Sequence, residues 1–170
     1  MPQDSELELL SHDDVIWCLR WRQLYIMVPL QSPSAAHMQT TRGEMEDMVR
    51  RAPEGFACCV IVLRDAKSPT PEARQAIRRE TDRFTQHLRC HCLLVHAQGF
   101  VASAALSIGG LMIRLRGGAI PAGLCKESDA AASFIHSKMG EVLGSAEEIQ
   151  RALDESRRIV ESGREEQVAS

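Results

Sequence analysis

The chain alternates between two apolar rhythms, and each predicts a different kind of element. Residues 15–21, VIWCLRW, and 24–30, LYIMVPL, repeat every second position, so Val15, Trp17, Leu19 and Trp21 share one face, as do Leu24, Ile26, Val28 and Leu30. A hairpin is expected. Arg22-Gln23 lacks the Gly or Asn that a two-residue turn favours, so a longer loop is anticipated. From residue 32 the period lengthens. Ser32 reads as a helix cap, Pro33 as the first helical residue, and Met38, Thr41, Met45, Met48 and Ala52 as the buried stripe, with Pro53 and Gly55 ending the helix. Residues 56–63, FACCVIVL, are apolar without alternation, as expected of a central strand covered on both faces.

A second helix is expected to run to about residue 88, with Ala73, Ile77, Thr81, Phe84 and Leu88 facing inward. Residues 90–97 read as a strand, and residues 100–115 as a third helix, apolar nearly all round and therefore buried. Residues 120–127 read as a last strand, and Ser128 as the cap of a short amphipathic helix. The S-x-x-E box from Ser145 to Glu148 opens a charged terminal helix with a narrow stripe of Ile149, Leu153, Ser156 and Val160. That helix could pack on the domain, pair with another copy to make a homodimer, or extend into solvent. The order predicts an α/β fold, a mixed sheet of about five strands covered by helices, plus a C-terminal helical tail. Three segments follow: an acidic stretch at 1–14, the α/β domain at 15–142 and the charged tail at 143–170.

Composition narrows the partners. A formal net charge of −3 lacks the basic footprint of nucleic-acid binding. The acidic N-terminal stretch lacks the order of a signal peptide. The longest apolar run, 99–113, falls short of the ~18–20 residues of a membrane span. The six cysteines lie in apolar, strand-like runs, which predicts reduced core thiols and a cytoplasmic location.

Candidate chemistry concentrates at RDAKSPTPEARQAI, residues 64–77. Thr70, Pro71 and Glu72 form a good helix start: a hydroxyl cap, a proline and an acid in the first turn. The same junction could hold an anion, or a phosphate on Ser68 or Thr70, with Lys67 beside it. Lys67, Arg74 and Arg78 make the candidate partner surface, although acids on the same helix offset its arginines. In CHCLLVH, strand parity puts Cys90, Cys92 and His96 on one face, and Cys58 or Cys59 from a neighbouring strand could complete a zinc set. Cysteines at this spacing in an apolar strand read as core instead, so no metal site, cofactor or catalytic residue is assigned. No phosphate-cradling glycine loop and no nucleophile motif occurs. A small-ligand-binding or enzymatic α/β domain stays as the competing class.

The element order is similar to the STAS domain family, from about Val15 to Met139. GFACCVIVLRDA resembles its central strand, SPTPEARQAI stands where its switch segment lies, and LCKESDAAASFI resembles its closing strand and helix. The chain also looks like bacterial SpoIIAA-like proteins, with PEAR opening the second helix and GF before the third. The resemblance implies a non-enzymatic regulator that binds a protein partner, a regulator or kinase. In the antagonist branch the partner kinase phosphorylates a serine in an Asp-Ser-x-Gly context. Here the stretch reads Asp65-Ala66-Lys67-Ser68-Pro69-Thr70-Pro71, with Ser68 and Thr70 within a residue or two of that place.

Overall fold

The computed structural model describes residues 6–96 and 120–168. The helix expected at 100–115 lies outside the described residues. Among the described residues, six strands form one sheet in chain order: β1 (Glu8–His12), β2 (Ile16–Trp21), β3 (Leu24–Pro29), β4 (Phe56–Val62), β5 (Leu88–Val95) and β6 (Ala122–Cys125). The first three are antiparallel, and β3 to β6 run parallel, which makes the sheet mixed. The helices are α1 (Ala35–Arg51), α2 (Pro71–Arg83), α3 (Ser128–Met139) and α4 (Ala146–Val168).

Several local expectations need correction. Among the described residues the sheet has six strands rather than about five, because the acidic N-terminal stretch contributes β1. A register shift between Leu9 and Ser11 breaks the two-residue rhythm there. The hairpin loop is only Arg22-Gln23, since Trp21 pairs directly with Leu24. Arg22 takes φ 52°, a left-handed conformation uncommon outside glycine. Its guanidinium holds that turn by donating to the Leu143 carbonyl (2.9 Å) and to Glu148 (3.0 Å). Ser34, not Ser32, precedes α1, where its backbone N–H donates to His37 Nδ1 (3.0 Å). Helix α2 ends at Arg83, and Leu88 already belongs to β5. Glu127 rather than Ser128 is the cap of α3, while the Ser128 hydroxyl donates to Asp154 on α4 (2.7 Å).

The topology explains how the two faces are covered. Each parallel crossover advances one strand, so right-handed connections place α1 and α2 on the same side. There Met45, Met48 and Phe84 meet Cys18, Tyr25, Phe56 and Cys58. The opposite face, with Trp17, Leu19, Ile26 and Cys92, would otherwise be bare. Helices α3 and α4 close it with Ala131, Ile135, Ile149, Leu153 and Val160. Of the three dispositions open to the terminal helix, packing on the domain is the one observed. Its capping box forms as expected: Glu148 N–H donates to Ser145 Oγ (3.2 Å), and Ser145 N–H donates to Glu148 Oε2 (2.9 Å).

Candidate functional site

The β4–α2 junction is built from the end of a buried strand and the start of an exposed helix. After Val62 the chain turns, with Ala66 N–H donating to the Leu63 carbonyl (3.2 Å) and the Ala66 side chain buried against Val62 and Val95. Lys67 N–H then donates to the Leu30 carbonyl (3.1 Å), and Thr70 N–H to Ser32 Oγ (3.0 Å). The loop is thus stitched along the segment that follows β3. A third tie comes from far along the chain. Arg164 on α4 donates with both Nη atoms to Asp65, at 3.0 and 2.5 Å. This bidentate hydrogen bonding holds the Asp65 carboxyl below its ordinary range.

The two hydroxyls have separate roles. Thr70 is the cap of α2: its Oγ1 accepts from Ala73 N–H (3.2 Å) and from Ser32 Oγ–H (3.4 Å). Ser68, half-buried, has no hydrogen-bond partner among the described residues. Lys67 and Arg74 are exposed, without an ion-pair partner among the described residues. Arg74 Nη1 reaches back to the Pro69 carbonyl (3.4 Å), which brings its charge to the loop that carries Ser68. Arg78 lies a turn further on and faces Asp82 (3.9 Å), so the structure groups Lys67, Ser68, Thr70 and Arg74 but sets Arg78 apart.

Sequence reasoning missed Ser32 as the partner of Thr70, and the Asp65–Arg164 tie. Their separations of 38 and 99 residues leave no local signal. The thiol face assigned to core is core: Cys90 and Cys92 are fully buried in the cluster beneath α3. Burial and the charge of Arg157 push the His96 imidazole below its usual range. Among the described residues no group of three or more His, Cys, Asp or Glu side chains is arranged to hold a metal ion.

A groove of about 860 Å³ opens at the other end of the sheet, beside Arg20, Arg22 and Met48. Its arginines are already engaged. Arg20 pairs with Glu8 and Asp47, and Arg22 with Glu148. The groove therefore offers less unpaired charge than the β4–α2 junction. No protein-family model matches the chain, and neither a curated protein nor a solved structure matches it.

Proposed function

We propose that this chain is a non-catalytic regulatory module with a STAS-like fold, acting in the cytoplasm and docking a protein partner through the β4–α2 junction. The observation that carries this reading is a loop tied at three points, in which the Ser68 hydroxyl has no hydrogen-bond partner, and exposed Lys67 and Arg74 no ion-pair partner, among the described residues. Ties at Leu30, Ser32 and Arg164 fix the loop, while Lys67 on the loop and Arg74 in the first turns of α2 are exposed and Ser68 is half-buried. A pre-ordered surface loses little entropy on docking, which favours recognition. The sequential parallel strands and the helix that follows β4 agree with the element order of the STAS resemblance.

Ser68 is the better residue to carry a phosphate. A phosphate there would add charge beside Lys67 and Arg74, whereas one on Thr70 would displace the cap. A partner kinase or regulator would read that change as a gain of charge at the loop. The test is quantitative affinity purification of wild type and Lys67→Glu/Arg74→Glu from the native host, with phosphate mapped on the recovered chain. A partner enriched by wild type and lost from the variant supports the reading, as does phosphate confined to Ser68. Identical partners for both proteins, or phosphate on Thr70 instead, would overturn it.

A further inference from the structure

A serine, a histidine and an aspartate meet where β1 turns into β2 and α1 begins. Ser34 Oγ lies 2.6 Å from His37 Nδ1, and His37 Nε2 lies 3.1 Å from Asp13 Oδ2. These contacts fix the proton on the ring. Ser34 N–H also donates to Nδ1 (3.0 Å), so that nitrogen carries the lone pair and accepts from the Ser34 hydroxyl. The proton therefore sits on Nε2 and is donated to the carboxylate, which can only accept. Asp13 is held for this role: its Oδ1 accepts from the Val15 and Ile16 amides (both 2.8 Å), which leaves Oδ2 for the imidazole. An ordinary capping box puts Glu or Gln at the place of His37; here an imidazole stands there, backed by a carboxylate from the β1–β2 turn. A hydroxyl within reach of a base, with the base oriented by a third group, is the arrangement of an activated nucleophile.

The surroundings suit attack on a carbonyl. Ser34 is exposed and His37 half-buried. The first helical bond of α1 runs from Met38 N–H to the Ser34 carbonyl (3.1 Å), so the Ala35 and Ala36 amides have no partner within the helix. Ala35 directly follows the nucleophile, the place from which a backbone N–H steadies the oxyanion in hydrolases whose serine opens a helix. From this arrangement we infer that Ser34 is a covalent acylation site, taking one acyl group from an activated ester or thioester. The regulatory reading of the β4–α2 junction makes no use of these three residues. Ser34 Oγ attacks the acyl carbon, and its proton moves to His37 Nδ1. The tetrahedral oxyanion accepts from Ala35 N–H. The bond from carbon to the leaving oxygen or sulfur then breaks, the departing atom keeps the electron pair, and the proton on Nδ1 passes to it. The products are an ester on Ser34 and a free alcohol or thiol. Once Oγ is acylated, Ser34 N–H retains the Nδ1 lone pair, so water finds no free base and the ester persists. The reaction is a single modification of the chain, without turnover.

The test treats the full chain with p-nitrophenyl acetate, follows release of p-nitrophenolate, and maps acetyl groups by peptide mass spectrometry. A burst of one equivalent is expected, with the acetyl group on Ser34, and Ser34→Ala should show no burst. His37→Gln keeps a capping box and removes the base, so acylation of Ser34 should slow by about 100-fold, the low end for general-base assistance. Asp13→Asn keeps an oxygen for the two amides but should move the ring proton of His37 to Nδ1, read from nitrogen-15 shifts, and slow acylation at least about tenfold. Acetyl groups on lysines or cysteines alone, equal rates in wild type and His37→Gln, or release that continues past one equivalent would overturn the inference. So would an unmoved ring proton and an undiminished rate in Asp13→Asn.

Discussion

Ser68 and Thr70 are separated by one proline, yet their surroundings are opposite. The Thr70 hydroxyl caps α2 and meets Ser32, so Thr70→Ala should cost about 1 kcal/mol, the usual loss of a helix cap. Ser68→Ala removes no bond and should stay within about 0.5 kcal/mol of wild type. Urea denaturation of both variants checks the division, and equal losses would contradict it. Gly163 poses the same kind of question inside α4. Alanine is about 1 kcal/mol better than glycine in a helix interior, so propensity alone favours Gly163→Ala. A Cβ at that position would stand 2.4 Å from Trp17 Cη2, and Trp17 is a rigid, buried ring stacked on His12. Overpacking of this kind costs ~1–3 kcal/mol, so the clash wins and Gly163→Ala should lower the melting temperature.

At the scale of elements, α4 decides whether the sheet keeps its second covered face. Ile149, Leu153 and Val160 are almost wholly buried, and each such side chain contributes roughly 1.5–3 kcal/mol by burial. Native domains hold only about 5–15 kcal/mol in total, so truncation after Gly144 should abolish cooperative unfolding rather than release an intact domain. Thermal melting followed by circular dichroism checks this. The tip of α4 also carries a titratable tie. The folded Asp65 carboxyl lies below its ordinary range, so its contribution is present above that range and is lost as pH falls through the lowered value. Amide protection factors in residues 63–70, taken against the intrinsic exchange rate at each pH, should therefore fall in acid, and Asp65→Asn should show the lowered protection at neutral pH.

The same elements show what was legible in the sequence. The stripes at Met38–Thr41–Met45–Met48 and at Ile149–Leu153–Ser156–Val160 are buried as their spacing predicts, because burial imposes the helical period directly. The strand parity of Trp17, Leu19, Ile26 and Val28 is legible for the same reason. Strand β1 was not, since its bulge erases the alternation and its acidic flank reads as solvent-facing. The Thr70 cap could be read locally, because cap, proline and acid lie within three residues. The stitching of the loop by Ser32 and Arg164 depends on tertiary contact alone.

At the scale of the whole molecule, the sheet divides the labour. Helices cover both faces, charged pairs occupy the groove at one end, and the β4–α2 junction carries Lys67, Ser68 and Arg74 at the other. The most direct test of a docking role is photo-crosslinking in the native host, with a photoreactive side chain placed at Ser68 and, as a control, at exposed Glu141 near the far end of α3. A discrete protein adduct is expected from position 68, disappearing when Lys67→Glu and Arg74→Glu are added, and no such adduct from position 141. No adduct at position 68, or the same adducts from both positions, would contradict it.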